Sequence, residues 1–292
     1  MESATHPVGV VGIGLVGLAI VERLRAARIK VLGYDIDPAR CEALRQAHGV
    51  VAGNANDVFG ACDNVVLALP DGGLTATVVR EALPVMQAGA LVVDCGTGEP
   101  EHAVALAVRL AARGIRALDA PLAGSSQQIR DGTAVMMIGG DRDACDALEP
   151  ILAAIAARRF LLGPPGSGAR AKLATNLLLG LNRAALAEAL VFAESQKLDL
   201  GIFLDLLRAT PAYSRAVDVK GQLMIDGEFA PPQSRIRQHR KDVGLMLEAA
   251  QRGGRQLPLS TLHLALLDAA IADGAGDLDN AAIIDTIRHW KD

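Results

Sequence analysis

The chain has only four cysteines in 292 residues, and Cys41, Cys62, Cys95 and Cys145 are too far apart to make a CxxC pair. That spacing argues against a zinc ribbon or a disulfide-stapled small domain. It fits free thiols of a reducing cytoplasm, with no metal site expected. Excess positive charge is also lacking. The formal net charge is -4, which argues against a surface for phosphate backbones or anionic lipid, so neither nucleic acid nor membrane is an expected partner. No segment approaches the ~20 uninterrupted apolar residues of a membrane span. The richest stretch, residues 177–192, is broken by Asn182, Arg183 and Glu188. No basic segment followed by a long apolar run precedes the first motif, so a signal peptide is not expected and the location is read as cytoplasmic. Internal repeats and low-complexity tracts are absent as well.

What is present is apolar material, 51% of the residues, in a chain long enough for one large domain or two ordinary ones. Residues 8–13 form a short apolar run ending in glycines, the mark of a buried parallel strand. Helical spacing follows over residues 15–27, then a second strand at 30–34, completing a βαβ unit. Further strands are expected at residues 64–69, 90–94, 116–119 and 134–138, mostly with helical patterns between them. Such alternation predicts an α/β fold, a Rossmann-like doubly wound, mainly parallel sheet with helices on both faces. Near Gly163 the style changes at a Pro/Gly-rich break, and beyond it only helices are expected: residues 169–196, 202–208, 243–251 and 259–272. The predicted domains are therefore residues 1–164, α/β, and 165–292, all-α. The long helix is apolar on more than one face. It is expected to be buried on more than one side, and it looks too apolar for one small domain to cover, which predicts a homodimer or homotetramer.

The first strand runs into Gly12-Ile13-Gly14-Leu15-Val16-Gly17. A lone GxGxxG says little, but here it follows a strand, opens a helix and sits in a complete βαβ unit, which makes it a dinucleotide signature. Gly12 would make the tight turn, Gly14 would let the backbone approach a pyrophosphate, and Gly17 would let helix and strand pack closely. The helix amino terminus then offers N–H groups and a positive dipole end to the phosphates. Asp35 ends the second strand, where a carboxylate can accept from a ribose 2′-hydroxyl and repel a 2′-phosphate. Asp35 is equally read as a strand-end turn residue with Asp37 and Pro38. Arg40 leaves NADP possible, but NAD is the expected cofactor. Leu69 and Pro70 close the strand over residues 64–69 at the sheet edge where cofactors lie.

Lys172 and Asn176 are four apart and share a helix face. Near a helix start and in apolar surroundings, a lysine is pushed toward a lower pKa, useful for proton transfer. Spacing alone equally describes a snorkelling surface lysine.

The pattern does not stand alone. GxGxxG, Asp119-Ala120-Pro121-Leu122 after a strand, GSGxxxKxxxN at residues 166–176, and Lys241-Asp242 in a late helix occur in that order. Together they resemble the β-hydroxyacid dehydrogenase family (3-hydroxyisobutyrate dehydrogenase, tartronate semialdehyde reductase and, more distantly, 6-phosphogluconate dehydrogenase) over nearly the whole chain. The resemblance implies a Rossmann-like domain, an all-α domain and an active site between them. It implies that Lys172 is the general acid/base, with Asn176 beside it on the substrate. The loop of residues 119–125, through Ala123, Gly124 and Ser125, would contact substrate, with Asp242 also on the substrate side. Thr97 matches a threonine near cofactor and substrate, and Lys241 a lysine approaching the cofactor. The implied activity interconverts a small anionic β-hydroxy acid and its aldehyde or keto form.

The chain departs from the family loop D-x-P-V-S-G-G. The usual serine is Ala123 and the second glycine is Ser125. Ser125, Ser126 and Gln127 fit a polar or anionic head group, and a serine there fits helix N-capping equally well. The run of residues 235–240 before Lys241 reads as a solvated face, or as the lining of a more anionic pocket, with His239 an alternative catalytic acid. Two rival readings remain: an imine reductase of the same architecture, which generally carries another residue where Lys172 stands, and a nucleotide-binding scaffold without catalysis.

Overall fold

The structure, a computed structural model, describes residues 6–290. The chain divides into two compact units, Met1–Lys172 and Leu173–Asp292. The first unit carries strands β1 (Val8–Val11), β2 (Val31–Tyr34), β3 (Val50–Val51), β4 (Asn64–Leu67), β5 (Leu91–Asp94), β6 (Arg116–Asp119), β7 (Leu122–Ala123), β8 (Val135–Gly140) and β9 (Arg158–Gly163). Its helices are α1 (Leu15–Ala26), α2 (Pro38–Gln46), α3 (Ala55–Ala61), α4 (Gly72–Ala82), α5 (Pro100–Ala111), α6 (Ser126–Arg130), α7 (Arg142–Ala147) and α8 (Glu149–Ile155). Helix α9 (Ser167–Ser195) begins in this unit and runs into the second. There α10 (Leu200–Ala209), α11 (Arg215–Asp226), α12 (Ile236–Arg252), α13 (Pro258–Ala272) and α14 (Ile283–Arg288) follow.

The sheet order is β3-β2-β1-β4-β5-β6-β8-β7, with β9 pairing β8. Strands β3 to β6 along this order are parallel, as expected, while β8 runs antiparallel to β6 and β7. Side chains alternate between faces, and so does the packing. Val66, Leu91 and Val93 join the core with Ile20 and Leu24 of α1, while Val65, Leu67 and Val92 join the core with Phe59 of α3 and Leu110 of α5. Burial on both faces is why these strands read as continuous apolar runs. Strands β3, β7 and β9 escaped the sequence reading. The first two are only two residues long, and β9 alternates exposed with half-buried residues in a stretch rich in arginine.

The expected division at residue 164 lies before the observed one, because the first turn of α9 is bonded to the sheet, as described below. Helix α9 is long and apolar enough to suit a membrane span. Instead Leu186, Ala187, Leu190 and Ala193 are buried, the first three packing with Leu204, Met224, Ile236, Met246 and Leu267, which makes it the core helix of the second unit. Burial is on one side: Leu178, Leu179 and Phe192 are exposed. All four cysteines are free.

A buried ion pair locks the second unit. Lys220 Nζ donates to Asp279 Oδ1 at 2.7 Å and Oδ2 at 2.9 Å, and Asp279 also accepts from the backbone N–H groups of Gln233 and Ala281. Removing one partner strands the other charge out of water, a loss of about 3–5 kcal/mol. Lys220→Met is therefore expected to lower unfolding stability by about that amount in a denaturant titration. A change below about 1 kcal/mol would show that the pair is not critical.

Candidate active site

The carboxyl ends of β1 and β4 mark the switch point of the sheet, where ligands bind in doubly wound folds. Gly12 follows β1 at φ +90°, and a Cβ there would meet Ala68 O at 2.6 Å. A Cβ on Gly17 would lie 1.8 Å from Gly12 O, so only glycine lets α1 pass this close to the turn. No side chain caps α1 at Gly14, which leaves its first N–H groups for an anion. Ile13 is buried, Val16 is half-buried and Leu15 is exposed.

Asp35 follows β2. Its Oδ2 accepts from Ile13 N at 2.7 Å and its Oδ1 from Asp37 N at 2.9 Å, so the carboxylate ties the glycine turn to the strand end. Both readings of Asp35 from sequence have a basis: it braces the turn, and it borders a cavity of about 560 Å³. Gly12, Ile36, Arg40, Leu69 and Pro70 line the same cavity. Ile36 is exposed, and Arg40 Nη1 lies 3.5 Å from Asp35 Oδ2. These residues fit an adenosine with its pyrophosphate on the α1 terminus. When bound, the nicotinamide of such a cofactor supplies or takes up hydride.

Farther along the same carboxyl edge, β5 and β6 place Asp94 and Asp119 side by side in register. Asp119 is buried, and its side chain serves the start of α9. Oδ1 accepts from Gly166 N at 2.7 Å and Oδ2 from Ala169 N at 2.9 Å, so it caps α9 from 47 to 50 residues away. Gly168 is required by closeness: a Cβ there would lie 2.4 Å from Met137 O. Burial raises the pKa of Asp119 against the lowering effect of these N–H bonds. Burial also raises Asp94 to about 6, opposed by the bond from Gly96 N and reinforced by the charge of Asp119.

The capped turn carries Lys172, half-buried, whose Nζ donates to Leu122 O at 2.9 Å. The amine thus lies against the loop that holds Ala123 and Gly124. Ala123 pairs with Val135 in the sheet, and Gly124 adopts φ +147°. Ser125 is the N-cap of α6: its hydroxyl accepts from Gln128 N, and Gln128 Oε1 accepts from Ser125 N. Of the two roles open to Ser125, the structure shows the cap. Gln127 Nε2 donates to Asp131. Thr97 is exposed between β5 and α5.

The remaining predicted residues lie in the second unit. Asn176 is half-buried one turn beyond Lys172 on α9. Lys241 is exposed on α12, and Asp242 accepts from Gln238 Nε2 at 3.3 Å. In the preceding run, Arg240 pairs with Asp268 at 2.7 Å and Arg237 lies 3.8 Å from Asp277, as on a solvated face. His239 points inward. It is buried, and burial with the nearby Arg183 charge pushes it down to about 2. It therefore stays neutral and cannot serve as a catalytic acid.

Residues 7–163 match the family described as the NAD binding domain of 6-phosphogluconate dehydrogenase. Residues 166–287 match the one described as NAD-binding of NADP-dependent 3-hydroxyisobutyrate dehydrogenase. The chain belongs to the β-hydroxyacid dehydrogenase family. It is a nicotinamide-dependent oxidoreductase acting on a hydroxyl group, with NAD or NADP as cofactor. Among its relatives, a 2-(hydroxymethyl)glutarate dehydrogenase of Eubacterium barkeri is 29% identical over 95% of this dehydrogenase and 93% of that protein. An L-threonate dehydrogenase of Cupriavidus necator is 30% identical over 95% and 94%. The solved 3-hydroxyisobutyrate dehydrogenase of Mycobacterium tuberculosis, with L-serine, matches at TM-score 0.88 and 26% identity over 97% and 99% of the two chains.

Asp94 gives this dehydrogenase a pH signature. Its folded pKa of about 6 lies above the ordinary 3.8, so the folded state holds the proton more tightly than the unfolded chain. The group's contribution is most favourable below pH 3.8 and declines as pH rises through about 6. Asp94→Asn removes this titration while keeping the oxygen that accepts from Gly96. Its stability advantage over the wild type should grow from pH 4 to about 6.5 and then level off in urea titrations. A difference that stays flat across that range would contradict the assignment.

Proposed function

We propose that this dehydrogenase interconverts a small β-hydroxy acid and the matching aldehyde or keto acid, with Lys172 as general acid and base. The observation that carries this reading is the amine of Lys172, fixed 2.9 Å from Leu122 O on β7, the short strand that follows β6. A neutral amine there takes the hydroxyl proton in oxidation, and the ammonium returns it to the forming alkoxide in reduction. Asn176, one helical turn on, holds the same oxygen in line, an effect of orientation. The backbone around Gly124, open at φ +147°, is suited to a carboxylate. Ala123 offers no hydroxyl and the Ser125 hydroxyl is drawn into the α6 cap, which shifts that task to backbone N–H groups. Lys241, Asp242 and Thr97 keep supporting roles at cofactor and substrate.

The preferred cofactor is NAD. Asp35 borders the adenosine cavity with a negative charge, Ile36 adds no cation, and Arg40 is occupied by Asp35 and Asp37 at 3.5 and 3.6 Å. A 2′-phosphate meets repulsion there. Retention of Lys172 favours hydroxyl over imine chemistry.

Lys172→Ala should lower kcat by about 10³-fold while NAD binding, followed by fluorescence, stays within about twofold. The assay is absorbance at 340 nm on hydroxy acids, with cyclic imines as the comparison. Unchanged turnover in the variant, or faster turnover of imines by the wild type, would overturn the reading.

A further inference from the structure

Of the buried side-chain nitrogens and oxygens that lack a hydrogen-bond partner among the described residues, most belong to one cluster in the second unit. They are Arg183 Nε and Nη1, His239 Nε2 and His263 Nε2. Native interiors rarely leave such groups orphaned, and several together call for a common explanation. Gly180 is what brings them together. A Cβ there would lie 2.7 Å from His239 Nε2 and 3.0 Å from His263 Cε1. The absence of a side chain thus lets both imidazoles, from α12 and α13, close on α9, with ring centroids 5.0 Å apart.

The cluster carries one uncompensated charge. Asp279 is the acid whose field reaches Arg183, but its oxygens already accept from Lys220 Nζ, Gln233 N and Ala281 N. Among the described residues, Arg183 Nε and Nη1 have no hydrogen-bond partner. Burial, and then the Arg183 charge, push His263 down to about 4 and His239 to about 2, so both rings are neutral. A neutral imidazole can donate from Nε2, which makes every one of these ring and guanidinium nitrogens a possible donor. A half-buried cation whose Nε and Nη1 are out of water and unpaired, beside two more unspent donors, is complementary to a carboxylate, which accepts several charge-assisted bonds at once.

Its place on α9 indicates whose carboxylate. Asn176, Gly180 and Arg183 follow one another at spacings of four and three, so they lie on one face. Asn176 and Arg183 are about 10 Å apart along the axis. Long side chains on a helix lean toward its amino end, which carries the guanidinium back toward Asn176.

We propose that Arg183, with His239 and His263, is an anion site for a second carboxylate of the substrate, so that the preferred substrate is a hydroxy dicarboxylic acid. This rests on the reading that Asn176 lies against the reacting hydroxyl. A matched pair tests it: 3-hydroxyisobutyrate, and 2-(hydroxymethyl)glutarate, in which a propanoate arm replaces the methyl group. The wild type should favour the diacid in kcat/KM by about tenfold or more. Arg183→Met should lose that advantage while keeping its rate on the monoacid, and Arg183→Lys should fall between. The melting temperature of Arg183→Met should not drop, because two buried, unpaired nitrogens have been removed. Equal losses on both substrates, or none on either, would overturn the proposal.

Binding keeps this separate from the assignment of Lys172. In NAD-loaded Lys172→Ala, calorimetry should show glutarate binding that disappears in Lys172→Ala/Arg183→Met, with butyrate weak in both. That result holds even if Lys172→Ala retains turnover and the acid/base assignment fails. Arg183-dependent binding of chloride without glutarate would reduce the cluster to an inorganic ion site and overturn the substrate assignment.

Discussion

The carboxylate of Asp119 is the constraint on which the first unit's chemistry depends. It leaves the end of β6 and accepts N–H bonds from Gly166 and Ala169, so the amino end of a long helix is held by a side chain nearly fifty residues earlier. Caps of this kind are ordinarily local. Here the cap is also the joint between sheet and helix, and it fixes the turn from which Lys172 projects. The amine then returns to the same segment, on Leu122 O. Bond and counter-bond make a closed loop of Asp119, the α9 turn, Lys172 and Leu122. The acid/base role proposed for this amine needs such fixed geometry, because small displacements erode the advantage of orientation.

Holding a buried carboxylate there is costly, and the neighbourhood is shaped around that cost. Asp94 stands next to Asp119 in register, and like charges disfavour one another out of water. Burial raises both carboxyls, and the N–H bonds from Gly166 and Ala169 oppose that rise at Asp119. Close backbone approach is what makes these bonds short. Gly168 permits it, and so does Gly139 of β8, where a Cβ would come within 2.4 Å of Asp119 Oδ1. The GSG sequence at the start of α9 is therefore a packing requirement as much as a turn.

Much of this was legible from the chain. The apolar runs named every parallel strand of four residues, since burial on both faces leaves a strong signal. The GxGxxG turn and the Lys172–Asn176 spacing were visible because they are local patterns. The capping role of Asp119 was not legible because its partners are remote, and no local spacing marks a cap borrowed from another element. Ser125 fitted two jobs, and only the geometry of its bonds to Gln128 separated them. His239 looked like part of a charged run. Its inward face is set by Gly180, a residue on a different helix whose missing side chain carries no signal in the sequence near His239.

The central claim is that the Lys172 amine, prepared on Leu122 O, exchanges its proton with the substrate oxygen. The most direct test is a crystal structure of the enzyme with NAD and a β-hydroxy acid trapped by slow turnover. The account predicts Nζ within about 3 Å of the substrate hydroxyl, with Asp119 still bonded to Gly166 and Ala169. A complex in which the hydroxyl meets another acid or base, while the Lys172 amine remains out of reach on Leu122 O, would contradict it.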